Sequence, residues 1–316
     1  MRTALLLALL SFTLWADAHL FVYHRFGDEK HASTNTSLQV LEKQFKYFKE
    51  HNYKVIPLKQ LNRALQQGKT IPDNWVVFCI DDSYKSFYNN GLALFKKYHY
   101  PFTLFVYIEA TEKGYGDFMS WRQIREASMF GEIGLHSYGH KHMVSMSSQA
   151  IKNDTSKALE LFEKNMGFKP KYYAYPYGEF DESVEKAIAS FGFDLILNQN
   201  VGAVSDKSPL HSLDRIALTG DVNLKTKLRI KFLDATWFSP KSYPKNAKLN
   251  EIHVTMSPSI KKAELYVSGG GWEYIKVNEG VFKSTKTYPL KLQRTRIIIK
   301  SGNAYTSKII VKKETK

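Results

Sequence analysis

The feature that most constrains the fold is the run of residues 76–80, in which five consecutive apolar residues stand directly before two carboxylates. Such a short run, rich in β-branched side chains, is typical of a strand buried on both faces of a parallel sheet. Asp81 and Asp82 follow it. Two ionised carboxylates beside an apolar wall repel each other, so they require a cation or a shared proton. A turn or a helix cap is the alternative interpretation of this pair.

Strand-like and helix-like segments alternate on both sides of this run. Repeated β–α units predict a parallel sheet covered by helices, either open or closed into a barrel. In such folds the chemistry gathers at the carboxyl ends of the strands. The strand-like runs are residues 19–24, 54–56, 102–106, 133–135, 172–175, 194–197 and 215–218.

The pattern changes after about residue 222 to short β-rich runs separated by glycine, asparagine and serine turns, which favours an antiparallel sandwich. We therefore predict four parts: a signal peptide at 1–18, a catalytic α/β domain at 19–221, a boundary at 222–246 and a basic, β-rich accessory domain at 247–316.

The positive charge of the chain is concentrated near its end. Residues 241–316 contain 14 Lys and 2 Arg against 5 Glu and no Asp, which is +11 of the total of +15. This excess favours an anionic cell-wall or envelope polymer as a partner, and a generally basic surface is the alternative.

The first 18 residues predict export. Arg2 is followed by an apolar stretch and by an Ala-x-Ala cleavage motif at residues 16–18, which is typical of a secretory signal. The stretch is too short to span a bilayer, although a membrane anchor is the alternative. We expect a bacterial protein of the periplasm or cell surface, with no transmembrane span in the mature chain and no nucleic acid as partner. Cys79, the sole cysteine, is predicted to be a buried core residue.

A later motif supplies candidate metal ligands. His136 and His140 are four residues apart, which can place both imidazoles on one side of a helical turn. Together with Asp82 they form a set of two histidines and one carboxylate that suits Zn²⁺ and other divalent transition metals. A solvated histidine-rich loop that includes His142 is the alternative for the pair alone. A Pro-Tyr-Gly loop at residues 176–178 follows a third strand and strengthens the case for an active site.

These motifs resemble those of the polysaccharide deacetylase family, which has NodB homology and is also classed with carbohydrate esterase family 4. The family motif T-F-D-D corresponds to residues 79–82, H-[ST]-x-x-H to residues 136–140, and R-x-P-[YF]-G to residues 174–178. The resemblance extends over roughly residues 19–221. The opening Tyr23-His24 and the A-Y-P-Y-G form are most similar to the branch that de-N-acetylates exported poly-N-acetylglucosamine.

The resemblance implies a distorted (β/α) barrel with fewer than eight units, followed here by the all-β domain. It implies that Asp82, His136 and His140 hold a divalent metal, with zinc as the first choice and cobalt, nickel or iron as alternatives. Asp81 would be the base that takes a proton from the attacking water. The backbone N–H of Tyr177 would help to stabilise the oxyanion.

Two positions depart from the family pattern. The arginine that orients the base in the third motif is Ala174 here, and Arg215 is the candidate to replace it, with an ordinary surface arginine as the alternative. The family's general-acid histidine motif is not visible. His24 is the first candidate for the acid, with a core histidine as the alternative interpretation, and His211 is a weaker candidate.

The predicted mouth of the barrel also carries Tyr138, Tyr175, Pro176 and Tyr177, which we interpret as sugar-binding residues, with core positions as the alternative. The predicted function is a metal-dependent hydrolase of non-peptide carbon–nitrogen bonds that de-N-acetylates poly-N-acetylglucosamine, peptidoglycan or a similar glycan. The alternatives are a non-catalytic glycan-binding protein on the same fold and a hydrolase of O-acetyl esters or small amides.

Overall fold

The computed structural model describes residues 17–284 and 286–314. Most of the predicted signal peptide therefore lies outside the described residues. Within those ranges, no helix has the length and apolar character that crossing a bilayer requires.

The last two residues of the predicted signal peptide belong to the fold. The backbone of Ala18 exchanges two hydrogen bonds with Val204, at 2.8 and 2.9 Å, and the carboxylate of Asp17 accepts the N–H of Phe232 at 2.9 Å. Cleavage after Ala18 would remove these bonds and place a charged amino terminus on His19, which is fully buried. This packing is therefore compatible with cleavage upstream of Asp17 but not with the predicted cleavage point.

Eight parallel strands form the centre of the N-terminal domain. Leu213 pairs with Leu197 at one edge, and Ile216 pairs with Phe21 at the other, so the segment between Leu213 and Ile216 closes the sheet. The result is a distorted barrel, as the resemblance implied. The strand order is Ile216–Ala217, His19–Tyr23, Trp75–Ile80, Thr103–Val106, Glu132–Leu135, Tyr172–Ala174 and Leu195–Leu197, with Lys54–Val55 also paired to Trp75–Ile80.

Helices cover this sheet, and their cores follow from the apolar spacing of the sequence. The side chain of Ser37 caps the first long helix, which buries Phe45 and Phe48 against Phe78 of the central strand. Full burial of each ring contributes about 2 kcal/mol. The helices are Leu38–Glu50, Leu58–Gln66, Leu92–Tyr98 after a π-helical turn at Phe87–Gly91, Ile108–Glu112, Trp121–Ser128, Ser148–Met166, Glu182–Ala189 and Leu224–Lys227.

Short elements complete the domain. The strands Arg25–Phe26 and Asn35–Thr36 pair with each other, and single 3₁₀ turns occur at Glu29–His31, Met143–Ser145 and Pro176–Gly178. Cys79 is fully buried in the central strand, as predicted.

The C-terminal domain consists of two main sheets that share one apolar core, which includes Leu265 and Ile297 from one sheet and Val254 and Phe282 from the other. This confirms the predicted sandwich-like all-β domain. The larger sheet has the order Lys231–Phe232, Ala304–Val311, Arg294–Ser301, Lys262–Val267 and Trp272–Lys276; the smaller has the order Ala235–Ser239, Ile252–Met256 and Val281–Ser284; and Lys248–Leu249 pairs with Tyr288–Pro289.

The β domain begins near residue 231, inside the segment 222–246 that the sequence pattern assigned to a boundary. Leu233 is buried in the β-domain core, and Trp237 packs against it. The strand Ala235–Ser239 gives no alternating apolar pattern because its inner face carries Ala, Trp and Ser, whereas Phe238 on its outer face is exposed.

The β domain packs against the loops that follow two barrel strands. The N–H of Ile309 donates to Oδ1 of Asn200 at 3.1 Å, and the N–H of Val201 donates to Oγ of Ser307 at 2.6 Å. Because Asn200 and Val201 follow the strand Leu195–Leu197, this contact lies at the carboxyl end of the barrel, where we predicted the active site.

Candidate active site and metal centre

Three side chains from the ends of two strands converge on one point. Oδ1 of Asp82 lies 3.3 Å from Nε2 of His136 and 3.0 Å from Nε2 of His140, and the two nitrogens are 3.2 Å apart. Asp82 and His136 are buried, and His140 is partly exposed. Two imidazole nitrogens and a carboxylate oxygen that face one another form a donor set that suits a divalent cation. The residues predicted as metal ligands are therefore together in space.

Hydrogen bonds behind the ligands fix their orientation. The carbonyl of Ala174 lies 2.7 Å from Nδ1 of His136, so this imidazole donates from Nδ1 and presents the Nε2 lone pair to the centre. The carboxylate of Asp154 accepts the N–H groups of Tyr138 and Gly139, both at 2.9 Å, and so holds the loop that leads to His140. Sequence reasoning missed Asp154, because an aspartate in the middle of a helix carries no local signal for this role.

The second carboxylate of the pair, Asp81, faces an arginine. Arg215 donates from Nη1 to Oδ1 of Asp81 at 2.7 Å and from Nη2 to Oδ2 at 2.8 Å. The side chains of both residues have no exposed surface. Arg215 thus makes the contact with the candidate base for which it was predicted, and the alternative of a surface arginine is wrong.

The charge state of Asp81 follows from these neighbours. Burial by itself would raise the pKa of Asp81, but the charges of Arg215 and His136 and the Arg215 hydrogen bonds outweigh it, so this pKa lies below its ordinary value. Asp81 is therefore an ionised carboxylate at neutral pH, beside the centre but outside its ligand set.

The loop after the strand Leu195–Leu197 holds the arginine. The side-chain Nε of Arg215 donates to the carbonyl of Asn198 at 2.6 Å, and the backbone N–H of Arg215 donates to the carbonyl of Asn200 at 3.0 Å. Asn200 also accepts the N–H of Ile309 from the β domain, so the support of Arg215 extends into the second domain.

A profile for the family described as polysaccharide deacetylase matches residues 68–196. These residues include Asp81, the three metal-ligand candidates and the Pro-Tyr-Gly loop. The chain carries a polysaccharide deacetylase domain. The resemblance seen in the three motifs is thereby confirmed.

Named relatives agree with this assignment. The chain is 22% identical over 241 residues to a poly-beta-1,6-N-acetyl-D-glucosamine N-deacetylase of Escherichia coli K12, a match that covers 63% of this chain and 35% of that protein. A protein of the same name from Staphylococcus epidermidis is 25% identical over 208 residues, with 62% and 72% covered. The chain thus spans about a third of the length of the Escherichia coli relative.

Solved structures share the fold of the deacetylase domain. The deacetylase PplD of Streptococcus pyogenes, in complex with acetate, superposes with a TM-score of 0.62 at 21% identity over 67% of this chain and 98% of that chain. IcaB from Ammonifex degensii superposes with a TM-score of 0.58 at 21% identity, over 67% and 94%. The NodB-type barrel is therefore confirmed.

The backbone of the deacetylase domain is strained at the site. Among the described residues, nine other than glycine have a positive φ, and five of these lie in the three motifs or directly beside them. Left-handed backbone costs such residues about 1–3 kcal/mol each and persists where the surrounding structure holds it. The five are Asp82, Ser83, Ser137, His140 and Tyr177.

The four predicted sugar-binding residues divide into two groups. The side chain of Tyr177 is 38% exposed beside His140, and Tyr138 is partly exposed. Tyr175 has no exposed surface, because its hydroxyl donates to the carbonyl of His211 and its ring stacks on Phe180. The predicted sugar contact of Tyr175 is therefore wrong, and the alternative of a core position holds for this residue. Pro176 is likewise buried.

The two acid candidates also differ in position. His24 is close enough to Asp81, Asp82 and His136 for their charges to act on it, and burial lowers its pKa. Its Nδ1 atom is buried and has no hydrogen-bond partner among the described residues. The side chain of His211 instead interacts electrostatically with the carboxylate of Glu185, which lies in the helix Glu182–Ala189. The charged neighbours of His24 and its unpartnered Nδ1 atom therefore favour it over His211.

Proposed function

We propose that this protein is a metal-dependent hydrolase that removes N-acetyl groups from a polysaccharide, with poly-N-acetylglucosamine first and peptidoglycan second among the candidate substrates. The observation that carries the proposal is that the two adjacent carboxylates have different partners. Asp82 faces two histidines, and Asp81 is held as an ionised base by Arg215. The names of the relatives support the choice of glycan.

The ligand set fits zinc. Asp82, His136 and His140 would hold the cation and leave positions open for water and substrate, and cobalt, nickel and iron suit the same donors. When bound, such a cation polarises a carbonyl group and lowers the pKa of water.

The residues around the centre perform the other steps. Asp81 accepts the proton of the attacking water, because it is ionised and outside the ligand set. Arg215 orients Asp81 through its two hydrogen bonds. The N–H of Tyr177 donates to the oxygen that becomes negative in the transition state. His24 would give a proton to the departing amine when it is itself protonated, a form that the charges of Asp82 and Asp81 favour against burial. Tyr138 and Tyr177 offer aromatic surface to the sugar.

Acetate release tests the proposal. The protein loaded with Zn²⁺ is expected to release acetate from oligomers of β-1,6-linked N-acetylglucosamine, because base and metal ligands are in place. Chelation is expected to lower the rate by at least about 100-fold, and added Zn²⁺ or Co²⁺ to restore it.

Matched variants make this experiment specific. His140→Ala should lose bound metal and activity together, whereas His51→Ala, which changes a histidine on an exposed helix end, should retain both. No acetate from any N-acetylated glycan, combined with turnover of an O-acetyl ester, would replace this proposal with the esterase alternative. The non-catalytic alternative rested on the absent third-motif arginine and on the absent general-acid histidine, and Arg215 removes only the first reason. A protein that binds glycan without bound metal would favour that alternative.

We also propose that the basic β domain binds an anionic polymer of the cell envelope. Its charge supports this, as does the outer face of the strand Trp272–Lys276, where Tyr274 is 87% exposed and Lys300 lies 4.6 Å from the centre of the Trp272 ring. Co-sedimentation with an anionic polysaccharide should fall as salt rises, because exposed charges are screened. The double variant Lys300→Ala, Trp272→Ala should bind the polysaccharide more weakly than the parent protein does at the same salt concentration. Co-sedimentation that does not change with salt concentration would contradict the proposal.

Export to the periplasm or cell surface is part of the same proposal. It is supported by the signal-like composition of the first residues, with cleavage placed upstream of Asp17 because that residue is packed into the fold. Recovery of the protein in the cytoplasmic fraction alone would contradict it.

A further inference from the structure

The β domain reaches into the active site through one arginine. Arg294, at the start of the strand Arg294–Ser301, donates from Nη2 to the carbonyl of Tyr177 and from Nε to Oε1 of Glu179, both at 2.9 Å. These residues are 117 and 115 positions away in sequence. A residue of the second domain therefore holds the Pro-Tyr-Gly loop of the first.

A second set of contacts continues from Glu179. This carboxylate is buried, with 1% of the residue exposed, and its Oε2 accepts from Nδ1 of His142 at 2.7 Å. The imidazole of His142 stacks on the ring of Tyr177, with centroids 4.1 Å apart and planes 11° apart. Residue 177 is thus held at its carbonyl by Arg294 and at its ring by His142.

The loop needs such support, because its backbone is strained. Tyr177 has φ 58° and ψ 4°, and left-handed backbone of this kind is unfavourable for a residue with a Cβ. The next residue, Gly178, has φ 66°, and a Cβ there would lie 2.3 Å from Cβ of Gln199. Local preferences alone therefore do not favour this conformation, and contacts from outside the loop stabilise it.

The same domain supports the other side of the site. Ile309 bonds to Asn200, and Asn200 in turn holds the backbone of Arg215, which orients Asp81. Adjacent strands of one sheet thus contact both the loop of the oxyanion donor and the loop that holds Arg215.

We propose that Arg294 is a positioning residue for catalysis, which orients Tyr177 so that its N–H meets the developing oxyanion. This inference rests on the proposed function of the site. The β domain then completes the active site, in addition to any contact with polymer. The fork of an arginine is required, because two acceptors on different groups must be bound at once, whereas a lysine supplies a single point of charge.

Three single variants of the full-length, Zn²⁺-loaded protein test this proposal. Arg294→Gln removes the charge and the fork, and Arg294→Lys keeps the charge. Lys283→Gln is the matched control, since it removes an ion pair with Glu251 on the exposed surface of the same domain. The measurements are kcat and KM on a short N-acetylated oligosaccharide, the bound metal content, and hydrogen–deuterium exchange of residues 174–181.

We expect Arg294→Gln to lower kcat by about 10-fold or more, because misplacing an oxyanion donor acts on the transition state. KM should change by less than about 2-fold, since the ground state makes little use of that donor. Exchange in residues 174–181 should become faster while the metal content stays the same. Arg294→Lys should recover part of kcat, and Lys283→Gln should match the parent protein.

Unchanged kcat in Arg294→Gln would overturn the proposal, as would a loss of kcat without faster exchange. A loss that only follows reduced metal content or a reduced folded fraction would assign a structural role and would also overturn it. An inactive parent protein would count against the proposed function instead. The exchange data would then decide by themselves whether Arg294 holds the loop.

Discussion

Asp81→Asn is expected to lower kcat by about 10³-fold while the protein retains its bound metal. Asparagine has the shape of aspartate but cannot accept the proton of the attacking water, and general-base catalysis contributes about 10²–10⁴-fold. The metal content should persist, because the convergent ligand atoms belong to Asp82, His136 and His140. Acetate release and metal analysis on the same sample separate the two effects.

The control for this variant is Asp234→Asn, which removes a carboxylate from an exposed ion pair with Lys207. Such pairs contribute about 0–1 kcal/mol, so activity and stability should both match the parent. If Asp81→Asn kept its metal and lost less than about 10-fold in kcat, Asp81 would not be the base.

Arg215→Met is expected to destabilise the metal-free protein by about 3–5 kcal/mol and to reduce activity strongly after metal is restored. Removal of one partner leaves a buried, uncompensated charge on Asp81, and that cost exceeds the net value of the pair. Methionine fills similar space, so the effect reports the lost charge and hydrogen bonds more than a cavity. Urea unfolding of the chelated protein measures it.

A double variant distinguishes charge from packing. Combining Arg215→Met with Asp81→Asn removes both charges. The double variant should therefore be more stable than Arg215→Met alone by about 1–3 kcal/mol, although it should be inactive. Arg215→Lys should fall between parent and Arg215→Met, because it keeps the charge but not the two-pronged contact. A double variant no more stable than Arg215→Met would show that the buried charge is not the source of the loss.

Much of the fold could be predicted from local patterns. The run of residues 76–80 lies in the strand Trp75–Ile80, and the helical spacing of apolar residues within 121–128 coincides with the helix Trp121–Ser128. Both signals are local, because burial on two faces or on one helical stripe sets which side chains recur. The strand Ala235–Ser239 was missed, because an exposed Phe238 and a partly buried alanine hide that recurrence.

The residues of the site likewise divide into those that short motifs identified and those that only the structure revealed. The metal-ligand candidates and the base were identified from short motifs, because the chemistry demands particular side chains at the ends of strands. Asp154, Glu179 and Arg294 were not identified. The side chains of Asp154 and Arg294 bond directly to motif residues, and that of Glu179 bonds to Arg294 and His142. Their partners lie at least 15 positions away, and the bonds from Arg294 to Tyr177 and Glu179 join the two domains.

By itself, the sequence determined the order of strands and helices, the three motifs and the residue types that can hold a cation. Only the tertiary structure decided that Arg215 meets Asp81, that Tyr175 is buried, and that Arg294 of one domain holds Tyr177 of the other. The physical reason is the distance along the chain over which each kind of signal acts. Periodicity and motif chemistry act among neighbours along the chain, whereas the partner of a buried charge is chosen by whichever distant segment the fold brings beside it.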